Sequence, residues 1–78
     1  MEPAIIYSAP GCWGCRMTKD QLDKNGIPYT ERDVSSDETA RARVKELGYS
    51  SLPVVEAAGR DWYGHRPDII REIAPQFK

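Results

Sequence analysis

The run "PGCWGCR", Pro10 to Arg16, decides how the rest of this chain is read. It holds both cysteines of the 78-residue sequence, Cys12 and Cys15, with Trp13 and Gly14 between them. Ahead of it, the apolar run Ala4-Ile5-Ile6-Tyr7 closes on Ser8-Ala9-Pro10-Gly11, which predicts a buried strand entering a turn. From Trp13 to Lys24 there is no proline and only Gly14, so a helix is expected, stopped by Asn25-Gly26 with Pro28 beyond. The pair thus stands where a loop enters a helix. Free backbone N–H groups and the helix dipole favour an anion there, so Cys12 should ionise more readily than a free thiol. Cys15 follows one turn later on the same face, its alpha carbon within disulfide reach of about 4.4–6.8 Å. In this reading Cys12 attacks a substrate disulfide and Cys15 then displaces the substrate by attacking Cys12.

Three other readings compete for the pair. Zinc needs four ligands, and the sequence offers two cysteines and one distant His65, so a carboxylate or a second chain would have to complete it. A purely structural disulfide across so short a loop gains little in the entropic account. Two silent, reduced cysteines are the third, since isolated C-x-x-C matches arise by chance.

Downstream, Tyr29 to Val34 predicts a second strand that is polar on both faces and therefore belongs at a sheet edge. Ser35 and Glu38 fit a capping box for a helix carrying Ala40, Val44 and Leu47, with Gly48 as its stop. "LPVVEA" and "RDWY" around Ala58-Gly59 predict a hairpin. Pro67 suits the first position of a last helix whose apolar face is Ile69, Ile70, Ile73 and Phe77. The expected architecture is α/β, in the order βαβαββα. A parallel opening unit and a closing hairpin make one mixed four-stranded sheet flanked by three helices, a thioredoxin-like fold. Residues 1–78 should form a single domain.

Composition sets the wider bounds. With 11 basic and 12 acidic residues no basic stripe forms, so neither nucleic acid nor an anionic membrane is an expected partner. Apolar runs reach only about four or five residues, far short of the ~20 a membrane helix needs. The opening "MEPAIIYSAP" lacks a basic stretch and a long apolar stretch, so a cytoplasmic location is expected, where a cysteine pair is more often catalytic or metal-binding than a permanent staple. A monomer is expected, for want of a continuous apolar surface stripe.

The strand–"PGCWGC"–helix start, "GYSSLPVV" and "WYGHRPDII" together resemble the NrdH-redoxins, small glutaredoxin-shaped proteins that behave like thioredoxins. The resemblance runs from about Ile5 to Ile73. It implies a dithiol–disulfide oxidoreductase without a bound cofactor, reduced by thioredoxin reductase and donating electrons to the large subunit of class Ib ribonucleotide reductase. Cys12 matches the family's nucleophile and Cys15 its resolving cysteine. Pro53 matches the cis-proline opposite the active site, although sequence-local statistics alone favour trans. Partner contacts are expected from Trp13, Gly14, Leu52, Pro53, Trp62, Gly64 and Arg66. For two of these a plainer role stands beside the partner role: Trp62 as core, and Arg66 as an ion pair with Asp68. The chain departs from the family at Gly14, where a polar residue is usual, at Ala9, where a lysine is common, and at His65, where phenylalanine is common. Arg16 is then the nearest cation to the pair, and His65 is expected to face solvent.

Two alternatives remain beside that reading. A glutathione-dependent glutaredoxin would carry a basic residue before the C-x-x-C, threonine-valine before the proline and a Gly-Gly-x-Asp-Asp-like helix start. Here those places hold Ala9, Ser51-Leu52, and Gly64 followed by His65-Arg66-Pro67-Asp68. The other alternative is a non-catalytic metal-binding or interaction module.

Overall fold

Side chains along the two central strands alternate between two hydrophobic layers, and that alternation organises the molecule. The computed structural model describes residues 2–77. Its elements are β1 (Ala4–Ser8), α1 (Trp13–Lys24), β2 (Tyr29–Asp33), α2 (Glu38–Glu46), β3 (Val54–Ala57), β4 (Arg60–Tyr63) and α3 (Pro67–Ile73), the last followed by a 3-10 turn, Ala74–Phe77. The sheet runs β2-β1-β3-β4. β1 and β2 pair in parallel from Ala4–Tyr29 to Ser8–Asp33. β1–β3 and β3–β4 are antiparallel, with Ile6 opposite Val55 and Val55 opposite Trp62. This is the expected thioredoxin-like mixed sheet, with β2 on one edge as its polar sequence requires.

On one face Ala4, Ile6, Val55, Ala57 and Trp62 pack against Leu22 of α1 and Ile69, Ile70 and Ile73 of α3. On the other, Tyr7 and Val54 pack against Ala40 and Val44 of α2. The buried residues of α1 are Cys15, Thr18 and Leu22, so its narrow apolar face is the one its spacing predicts. The α2 layer carries a polar network: the Tyr7 hydroxyl donates to Glu56 (2.5 Å), and Arg43 Nη2 donates to the same carboxylate (2.7 Å). The Arg43 hydrogen bonds hold Glu56 below the usual carboxylate range. Burial, followed by the Glu56 hydrogen bond, pushes the Tyr7 phenol up from its ordinary 10 to about 12. The hairpin turn places Ala58 and Gly59 at φ 54° and 73°, the two successive left-handed residues such a connection needs. Among the described residues no helix is long and apolar enough to cross a membrane.

One helix boundary corrects the sequence reading. Ser35 does not cap α2; its N–H and hydroxyl both bond Asp33 Oδ1, at 2.8 and 2.6 Å, inside the turn that ends β2. Asp37 is the cap, its Oδ1 accepting from the Ala40 N–H at 3.0 Å. That bond holds the Asp37 carboxyl below its ordinary range, and a carboxylate suits the positive end of the helix better than a hydroxyl. Asp37→Ala is accordingly expected to lower Tm by about 5 °C, and Ser35→Ala by much less, in thermal unfolding followed by circular dichroism.

Candidate active site

The end of β1 leads through Ala9 and Pro10 to Gly11, whose φ of 78° makes the turn that brings Cys12 onto the start of α1. Cys12 is the N-cap residue, with extended backbone (φ −83°, ψ 104°). Its sulfur accepts the backbone N–H of Cys15 at 3.1 Å, so the sulfur itself satisfies one of the helix's unpaired donors. The two sulfurs are joined in a disulfide, with alpha carbons 5.3 Å apart. Cys15 is buried and Cys12 half-buried, the asymmetry expected of an attacking and a resolving sulfur. On reduction, a thiolate at Cys12 would keep the helix N-terminal N–H it already faces, which favours the anion.

The other predicted site residues divide into those the fold brings to the pair and those it does not. The Leu52–Pro53 peptide is cis. A Cβ at Gly14 would lie 3.2 Å from Pro53 Cδ, so the proline ring rests directly on the backbone between the cysteines. Pro53 O accepts the Gly64 N–H at 2.8 Å, and Gly64 holds φ 94°, a conformation that favours glycine. Gly14, Pro53 and Gly64 thus form a continuous contact beside the disulfide. Trp13 is 73% exposed beside it. Leu52 turns to the α2 layer, half-buried against it. Arg66 is exposed at the start of α3 and its fork is taken by Asp68, through Nε–Oδ1 at 3.1 Å and Nη2–Oδ2 at 2.9 Å.

Trp62 corrects the expectation of a partner contact. It points to the α1–α3 face, only 4% exposed, and is part of the core. Alternation along β4 makes this unavoidable, because Trp62 lies opposite the buried Val55. Exposure at the strand's end falls instead on Tyr63, 51% exposed and next to Gly64, which sequence reasoning passed over. His65 is also corrected. It is half-buried, its Nδ1 3.5 Å from the hydroxyl of fully buried Thr18, which itself donates to Gly14 O at 2.7 Å. A polar residue on the buried face of α1 was the available signal for that contact.

On the β2 side of the disulfide an open groove of about 610 Å³ is lined by Ser8, Pro10, Cys12, Cys15, Lys19 and Glu31, among others. Glu31 accepts from the Ser8 hydroxyl at 2.7 Å and from Lys19 at 2.9 Å. Those two bonds, Ser8 first, hold its carboxyl below the ordinary range. Lys19 is therefore already engaged by a carboxylate, as Arg66 is. Ser8, Lys19 and Glu31 are far apart in sequence and were not anticipated as neighbours of the pair.

A helix-capping disulfide between a half-buried and a buried cysteine is suited to thiol–disulfide exchange, and comparison with known proteins agrees. Residues 4–62 match the glutaredoxin family. The glutaredoxin-like protein NrdH of Escherichia coli is 31% identical over 70 residues, which span 90% of this chain and 86% of that protein. The global transcriptional regulator Spx 1 of Bacillus cereus is 45% identical over 68 residues, covering 87% of this chain, which spans only about half (49%) of that regulator. Among solved structures, the NrdH-redoxin of E. coli superposes with a TM-score of 0.86 at 29% identity, covering 92% of this chain and 95% of that one. The chain belongs to the glutaredoxin family and, within it, to the NrdH-redoxins.

Proposed function

We propose that this redoxin reduces protein disulfides through Cys12 and Cys15, that thioredoxin reductase restores it, and that its substrate is the large subunit of a class Ib ribonucleotide reductase, in the cytoplasm. The observation that carries the reading is the Cys12 sulfur seated as the cap of α1 with Cys15 behind it. The Cys12 thiolate attacks one sulfur of the substrate disulfide; that S–S bond breaks, a Cys12–substrate bond forms, and the departing thiolate takes a proton. Cys15 gives up its proton and attacks Cys12, expelling the second substrate thiolate, which is protonated in turn. Two electrons and two protons have passed to the substrate, leaving the Cys12–Cys15 disulfide for the reductase to open by the reverse exchange. No bound cofactor takes part in these steps.

Choice of reductant separates this reading from a glutathione-dependent one. A glutathione site needs cations free to meet carboxylates; Lys19 and Arg66 are held by Glu31 and Asp68, which leaves Arg16 alone at the groove without a carboxylate partner among the described residues. With a protein disulfide and NADPH, turnover is expected with thioredoxin reductase and at least about tenfold slower with glutathione and glutathione reductase, a gap equivalent to ~1.4 kcal/mol. Efficient turnover with glutathione alone would overturn the assignment. The likeness to Spx 1 supports a second reading, an interaction module of a regulator. It predicts turnover with neither reductant.

A further inference from the structure

A second cleft, of about 240 Å³, opens on the α2 side of the sheet and shares no lining residue with the groove already described. Its apolar lining is Val34, Val44, Tyr49 and Leu52, and its charged lining is Arg41 and Lys45. No carboxylate lines it, whereas the groove at the disulfide mixes Arg16 and Lys19 with Glu31 and Asp33, and the cleft by the hairpin mixes Arg43 and Arg60 with Glu56 and Asp61. Arg41 and Lys45 are four residues apart on α2 and so share one face of it. Arg41 reaches Glu38 only at 3.8 Å, and among the described residues Lys45 makes no ion pair. The Tyr49 hydroxyl is occupied by Asp61 at 2.7 Å, which fixes the ring as a wall.

We propose that this cleft binds an acidic, apolar segment of the disulfide-bearing protein, one apolar side chain entering between Val44 and Leu52 while a neighbouring carboxylate meets Arg41 and Lys45. Position selects a protein segment over a free apolar acid. Leu52 lines the cleft and is bonded to Pro53, whose ring rests on Gly14 between the two cysteines. The cleft thus begins one residue from the Pro53–Gly14 contact, and an extended segment, which advances ~3.3 Å per residue, is the shape suited to span both places. Only a partner longer than a small disulfide can use both places at once. The inference rests on the disulfide-reductase reading and adds to it the sequence character of the substrate.

The test uses the full chain, NADPH and thioredoxin reductase, with two disulfide peptides that differ only in flanking Leu-Glu-Glu or Leu-Lys-Lys. The acidic peptide should show a KM about tenfold lower, with similar kcat, and a ratio that shrinks as salt is raised. The doubly reversed variant R41E/K45E should invert the preference. Equal KM values for the two peptides overturn the proposal, as does a preference unchanged in R41E/K45E. Octanoate that competes as well as the acidic peptide also overturns it, since the cleft would then take free apolar acids. Bis(2-hydroxyethyl) disulfide, which has no flanking residues, reports the exchange chemistry separately. Turnover of that compound with equal peptide KM values sinks only the cleft. No turnover of any disulfide sinks the reductase reading itself.

Discussion

Cys12→Ser is expected to reduce disulfide turnover by at least about three orders of magnitude, whereas Cys15→Ser should leave a covalent Cys12–substrate adduct. The difference follows from where the sulfurs sit. Cys12 caps α1 and faces the Cys15 N–H at 3.1 Å, so its thiolate is the one the helix end stabilises. A serine hydroxyl in its place has neither the acidity nor the nucleophilicity for attack on sulfur. Cys15, only 2% exposed, cannot meet a protein substrate but stands one helical turn from Cys12 and can cleave a bond formed there. Mass spectrometry after incubation with a disulfide peptide should find the adduct on Cys12 in Cys15→Ser and none in Cys12→Ser. An adduct on Cys15 would reverse the assigned roles.

Trp62→Ala should cost about 3–5 kcal/mol in urea unfolding, the usual range for emptying an aromatic site in a core. A domain of this size has roughly 4–12 kcal/mol in all, at about 0.05–0.15 kcal/mol per residue, so the loss takes a large share of the total and unfolds the variant outright only at the low end of that range. The indole belongs to the core cluster that holds Val55 and the α3 isoleucines, at 4% exposure. Its Nε1 is buried with no hydrogen-bond partner among the described residues. Trp62→Phe retains most of the ring volume and removes that unpaired donor, so its loss should stay under about 1.5 kcal/mol, with turnover little changed. A stable Trp62→Ala with a raised KM would instead make Trp62 a partner contact.

Much of this fold follows from residue pattern. The Val54-Val55 run, the Ala58-Gly59 turn and the Cys15–Thr18–Leu22 spacing each point one way, and the elements form where they predict. Misreadings arose where two local options were chemically close. Ser35 and Asp37 both precede α2 and both can cap it; Asp33 claims Ser35 through a turn, a competition that only three-dimensional placement resolves. Trp62 and Tyr63 are adjacent aromatics, and the strand register, set by Val55, decides which is core and which is surface. At the site, Cys12 and Cys15 are neighbours in sequence and therefore readable. Ser8 and Glu31, and likewise Thr18 and His65, meet only because strands and helices stack, and no local spacing announces such pairs.

The polar character of β2 has a consequence for self-association. A four-stranded sheet has two open edges, each offering unpaired backbone groups to another copy. In this molecule β2 borders one edge with Thr30, Glu31 and Arg32, and β4 borders the other with Arg60 and Asp61. Charges of both signs on short strands make edge-to-edge stacking unfavourable. Among the described residues the large exposed apolar groups are the side chains of Trp13 and Tyr63, so attraction to other chains rests on those rings and not on open strand edges.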